Sequence, residues 1–159
     1  MKELLELLEH DARRPVSEVA SILRRSEYEV DKDIKNLEKD GIILGYNTVI
    51  DWNKAGRNTV TAVIEVNLTP QREVGFDAIA ARVARFDEVR SVSLMSGGFD
   101  LLVTVVGESL NEIADFIATR LATIDGVVST RSHFMLKPYK KDGMLVGSRE
   151  QDHRLVVTP

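Results

Sequence analysis

Ser96-Gly97-Gly98-Phe99-Asp100 is the segment of this chain best supplied for holding a small polar molecule. Glycines let a ligand approach the main chain, and bare amides can hold a carboxylate. Asp100 would then face an ammonium group, so the segment suits the two charged ends of an amino acid. Thr130 and Ser132 lie two apart in an alternating stretch, point to one face, and could add hydroxyl contacts. Met95 and Ser96 could wall the site, although core packing is the simpler role for Met95. A plainer reading also fits: two glycines between apolar runs make a tight hairpin, and Asp100 caps the turn. The third glycine and following helix of a dinucleotide fingerprint are missing. A second set is cationic. Arg13, Arg14, Arg24, Arg25, Lys32, Lys35 and Lys39 suit phosphate groups, or they balance nearby acids on a solvated face.

Signals for an enzyme are thin. His10, His133 and His153 are the three histidines, and they are scattered. No metal-binding histidine pair and no Gly-x-Ser-x-Gly elbow occurs, so neither a catalytic residue, a metal nor a cofactor is expected. With no cysteine, a disulfide framework, thiolate zinc site, iron–sulfur cluster and Cys nucleophile are excluded. The 159 residues are 43% apolar and 29% charged, the mix of a folded protein with one ordinary domain or two small ones. Met1–His10 is too acidic and periodic for a secretory leader. No apolar run approaches the roughly eighteen residues of a membrane helix. A cytoplasmic protein with no membrane partner is expected.

The elements that position these residues change period near residue 43. Before it, apolar residues recur at helical spacing. Leu4, Leu5, Leu7 and Leu8 face one helix, and Val16, Val19, Ala20 and Leu23 a second, with Pro15 at its first turn. Ser26 and Glu29 form a capping box for a third, through Val30, Ile34 and Leu37, and Gly41 ends it. The Arg24-Arg25 connection is short enough for a helix-turn-helix. Residues 42–50 predict two short strands around a turn, a wing, with Trp52 packing it against a linker at 54–58.

From residue 60 the pattern is strand, helix, strand, strand, helix, strand: 60–66, 77–86, 89–95, 101–106, 110–121 and 127–136. This βαββαβ order is ferredoxin-like, with both helices on one face of a four-stranded sheet. The other face needs a cover, and a second subunit is the usual one. The predicted class is α+β: a winged helix-turn-helix over 1–57, a ferredoxin-like domain over 58–141, and a tail over 142–159. The tail is either frayed or an added strand docked on a neighbouring edge, with apolar pieces at 144–146 and 155–157.

Several stretches resemble one family. Leu8–Arg13, Glu18-Val19-Ala20 and Ile34–Tyr46 resemble the helix-turn-helix half of the Lrp/AsnC, or feast/famine, regulators. Gly97–Val103 and Gly126–Ser132 resemble the glycine–aspartate stretch and final strand of their effector domain. The match runs in order from about residue 3 to residue 141. The resemblance implies a transcriptional regulator that binds DNA as a dimer, often assembles toward octamers, and takes a small effector, commonly an amino acid, in a cleft between subunits. It places the effector at Met95, Ser96, Gly97, Gly98, Asp100, Thr130 and Ser132. The DNA contacts would come from Arg13, Arg14, Arg24, Arg25, Ser26, Tyr28, Lys32, Lys35 and Lys39.

One departure stands out. Residues 26–33 hold four acids and one lysine, and Asp33 occupies a position where many relatives have arginine. Residues 1–57 carry ten Lys/Arg against twelve Asp/Glu and the remainder eleven against thirteen, so each part stands at −2. Bulk charge does not draw this chain to DNA. Two alternatives follow: a ligand-sensing assembly protein without DNA binding, or a tetrapyrrole decarboxylase of the same build using His133 and Arg131.

Overall fold

The computed structural model describes residues 1–69 and 75–146. The backbone divides into two compact units, Met1–Thr48 and a second from Val49 onward.

The first unit is three helices, α1 Lys2–His10, α2 Val16–Leu23 and α3 Glu27–Lys39. Their apolar stripes meet in a core of Leu4, Leu8, Val19, Ala20, Val30 and Leu37, flanked by Leu5, Leu7, Val16, Leu23, Ile34 and Ile43. Pro15 immediately precedes α2 with φ −58°. The expected capping box forms: the Ser26 hydroxyl accepts from the Glu29 N–H, and the Glu29 carboxylate accepts from the Ser26 N–H. Gly41, at φ +68°, ends α3. Its N–H donates to the Glu38 carbonyl and that of Ile42 to the Leu37 carbonyl, the paired bonds of a Schellman close. The end of α2 has the same pair, Arg24 N–H to Ser21 O and Arg25 N–H to Ala20 O. There the left-handed residue is Arg24, at φ 54°.

The predicted wing strands do not form. No strand occurs over residues 42–50, and Tyr46 instead donates its hydroxyl to Glu38 at 2.8 Å. A two-stranded hairpin alone is marginal in water. Among the described residues no third strand of the first unit supports one. Trp52 does meet the linker on which it is expected to pack. Its ring carries the Arg57 guanidinium at 5.4 Å, and Arg57 reaches Glu108 at 3.8 Å.

The second unit follows the predicted order: β1 Val60–Leu68, α4 Gly75–Val83, β2 Val89–Leu94, β3 Leu101–Gly107, α5 Leu110–Phe116 and β4 Val127–Phe134. A π-helical turn, Ile117–Leu121, extends α5. The four strands form one antiparallel sheet in the order β2-β3-β1-β4. Alternate residues of β1 (Ala62, Ile64, Val66, Leu68) and β3 (Leu101, Val103, Val105) are buried. They pack with Ile79 and Val83 of α4 and Ile113, Phe116 and Leu121 of the second helical segment, so both helices cover one face. The other face carries Thr61, Val63, Glu65 and Asn67 of β1, none of them fully buried. Two short strands, β5 Lys140–Lys141 and β6 Met144–Leu145, pair with each other around Asp142 and Gly143. Both turn residues have positive φ, as a two-residue hairpin of this kind requires. The apolar piece at 155–157 lies outside the described residues.

Candidate functional site

Helix α3 brings several of the predicted DNA contacts onto one surface. Val30 and Leu37 are buried. At 100° per residue the opposite side carries Tyr28, Lys32, Lys35 and Lys39, with Asn36 beside Lys32. Tyr28 is 77% exposed, and the three lysines and Asn36 lie toward solvent.

Counting acids along the sequence overstates their effect on this surface, because most of them are engaged within the unit. Glu29 accepts from the Ser26 N–H at 3.1 Å and the Ser26 hydroxyl at 2.8 Å. That hydroxyl bond holds the Glu29 carboxyl below its ordinary value. Asp31 takes the Lys35 ammonium at 2.6 Å, which raises the Lys35 pKa. Asp33 accepts Arg25 at 2.8 Å across the connection from α2. Glu38 accepts the Tyr46 hydroxyl.

The remaining cations divide in the same way. Arg14 is paired with Glu18 at 2.9 Å, and Arg13 lies exposed in the α1–α2 connection, its N–H donating to Asp11. Ser26 spends its hydroxyl on capping. Arg24 is exposed and makes no ion pair among the described residues. It occupies a left-handed conformation that costs a non-glycine residue roughly 1–2 kcal/mol. Asn36, absent from the predicted DNA contacts, belongs to the outward surface. Its signal is helical phase rather than residue charge.

In the second unit the glycine–aspartate segment connects β2 to β3. The Met95 N–H donates to the Asp100 carbonyl at 2.8 Å, closing the loop of Ser96, Gly97, Gly98 and Phe99. A methyl group placed on Gly98 would meet nothing within 4 Å, and Gly98 does not need a positive φ. Neither packing nor backbone geometry within one chain demands glycine there. Asp100 has a definite internal partner: its Oδ2 accepts the Leu68 N–H at 2.7 Å. That donor sits at the register shift between Asn67 and Leu68, where β1 leaves regular pairing with β4. Asp100 thus satisfies a bulge, a structural role akin to the turn cap expected beside its ligand role.

Thr130 and Ser132 stand opposite Val66 and Ile64, half-buried on the helix-covered face of edge strand β4. Thr130 and Asp100 reach the same end of the sheet from opposite sides of β1. Met95 and Ser96 are exposed beside the loop. Two cavities among the described residues of the second unit lie away from this loop. One of about 290 Å³ is lined by Asp51, Asn53, Lys54, Lys137, Pro138 and Val146.

Arg131 and His133 lie on the open face of the sheet. Both meet Glu65 on β1, His133 Nε2 at 3.1 Å and Arg131 at 3.5 Å. Asn67 donates to the Ser129 hydroxyl at 3.0 Å on the same face. Among the described residues no group of three His, Asp or Glu side chains could hold a metal ion, and no helix is long and apolar enough to cross a membrane.

Comparison with known proteins supplies a family. Residues 61–145 match the family model for the Lrp/AsnC ligand binding domain. The HTH-type transcriptional regulator YugG of Bacillus subtilis is 44% identical over 158 residues, covering 99% of this chain and 95% of the relative. The HTH-type transcriptional regulator LrpA of Pyrococcus abyssi is 33% identical, covering 87% of this chain and 96% of its own. Among solved structures, a feast or famine regulatory protein of M. tuberculosis complexed with L-methionine is similar at 26% identity and a TM-score of 0.70. It covers 89% of this chain and 92% of that one.

Proposed function

The chain belongs to the Lrp/AsnC family, and on that premise we propose that it is a transcriptional regulator whose two units divide DNA binding and effector sensing. The three helices of the first unit act as a helix-turn-helix, with α3 as the recognition helix. The second unit is a ferredoxin-like effector and dimerisation module. The observation that carries the DNA half is the outward ridge of Tyr28, Lys32, Lys35 and Lys39, with most of the α3 acids turned to intramolecular partners. Arg24 adds a phosphate contact from the turn. Several weak heads on one assembly multiply affinity, which offsets the net charge of −4.

The effector is an amino acid, bound where the Gly97-Gly98 amides can take its carboxylate and Asp100 its ammonium group, with Met95 and Ser96 beside it and Thr130 at the same end of the sheet. Ser132, opposite Ile64 on the helix-covered face, stands apart from it. A second copy covering the open sheet face completes the cleft, and higher assembly extends to an octamer. Effector binding acts through its different affinity for the assembly states. L-Methionine is the first ligand to try, because a related regulator's structure contains it.

Replacing Lys32, Lys35 and Lys39 together by alanine tests the DNA half. Affinity falls for all sequences, and the salt slope shrinks by about 0.9 for each phosphate that no longer meets a lysine. An unchanged slope would remove the ridge from the interface. Calorimetric titration with L-methionine, then with pooled amino acids, tests the effector half, and sedimentation velocity tests the dimer. No heat with any pool, or a monomer at micromolar concentration, overturns that part.

A further inference from the structure

We propose that Asn36 is a base-reading residue of α3 and that it reads adenine, the helix being presented to the major groove by its middle rather than by its first turn. The inference rests on the DNA-binding reading above and adds to it where on the helix sequence is read.

Charge along α3 locates the contact. Residues 27–33 hold Glu27, Glu29, Asp31 and Asp33 with Lys32 as the sole cation, while 34–39 hold Lys35 and Lys39 with Glu38 as the sole acid. Laying the first turn deep in the groove would bring the acid-rich half closest to two phosphate strands. Presenting the middle of the helix brings the lysines to them, a geometry that homeodomains use. Tyr28, Lys32 and Asn36, four residues apart, form one row on the outward surface, and Lys35 and Lys39 lie in the adjoining row. Asn36 therefore stands beside Lys32 at one edge of the basic ridge.

Chemistry selects its role. Lysine ammonium groups act as point charges toward phosphate. Asn36 has the one uncharged amide on this ridge, and an Asn side chain matches adenine N6 and N7 with one donor and one acceptor. Local structure gives no other reason for it. Asn36 is exposed, its side chain makes no hydrogen bond among the described residues, and Asn is a poor residue for a helix interior.

The test is selection of bound sequences from a random DNA pool by the full chain, followed by affinity measurements on the selected site and on unrelated DNA. For Asn36→Ala, the expected result is a loss of about 5- to 150-fold on the selected site. Affinity for unrelated DNA, the salt slope and the melting temperature should not fall. Asn36→Arg is expected to move the preference at one position of each half-site from adenine to guanine. If the wild-type chain selects a site and both variants select it with unchanged preference, Asn36 reads nothing and this inference alone falls. If the wild-type chain enriches no sequence, the DNA-binding reading falls and carries this inference with it.

Discussion

The two units differ in how far a single chain completes them. In the first, the core is closed by Leu4, Leu8, Val19, Ala20, Val30 and Leu37, most of the acids of α3 have partners, and the outward surface is already assembled. In the second, the larger core fills one side of the sheet only. The opposite face is left with Glu65, Arg131 and His133 in half-exposed cross-strand pairs, and the loop at Gly97 and Gly98 opens onto empty space. On the proposed reading, the contrast is between a DNA surface that one chain finishes and a ligand cleft whose remaining wall a second copy would supply.

The sharpest way to separate the units is through the smaller core. Leu37→Ala should cost about 2–5 kcal/mol, taken from a core of six buried residues. Calorimetric unfolding should show the first unit melting earlier, with DNA binding lost and effector binding kept. Loss of both together would show that the units do not behave separately.

Asp100 tests the second unit with a smaller effect. Asp100→Ala leaves the Leu68 N–H without its acceptor, at about 1–3 kcal/mol for a buried unpaired donor. Asp100→Asn keeps an acceptor there and removes only the charge. Both variants should lose amino-acid binding by calorimetry, but only the alanine variant should melt at a lower temperature. Retained binding in Asp100→Asn would confine this residue to the bulge.

Arg24 reverses the usual sign. Arg24→Gly should raise stability by about 1 kcal/mol, because glycine enters the left-handed conformation freely. It should also weaken binding to every DNA sequence and reduce the salt slope by about 1 per head. A variant that gains stability and binds unchanged would leave the strained arginine without a purpose at the interface.

The smallest effect is the capping box. The folded-state pKa of Glu29 lies below its ordinary 4.5, chiefly through the Ser26 hydroxyl. Its contribution to stability is therefore present above pH 4.5 and is lost as pH falls through the folded value. Comparing melting temperatures of wild type and Glu29→Gln should show a gap at pH 7 that closes toward pH 3. A gap of constant size would assign the effect to packing rather than charge.

The βαββαβ order is legible in the sequence because strands of β-branched residues and amphipathic helices alternate with clear punctuation, and each period follows from which face is buried. The helix ends are legible too, since Ser26, Glu29 and Gly41 act on their own neighbours. What escapes depends on distant or unpaired partners. The wing fails because residues 42–50 favour extended backbone but find no third strand. Arg24 gives no signal of a left-handed turn, since the usual marker is glycine. The Arg25–Asp33 pair crosses a connection rather than one helical turn, and the Asp100–Leu68 bond spans 32 residues. Asn36 is hidden in the linear order of charges along α3 and emerges only from the angular order around it.

The most direct test of the account is a gel shift on DNA upstream of the protein's own gene. It should be run at low and physiological salt, with and without L-methionine and pooled amino acids. The account predicts a specific, salt-sensitive complex that one amino acid strengthens, weakens or changes in mobility. No complex even at low salt would contradict it, and would leave a ligand-responsive assembly whose acidic helix keeps it off DNA.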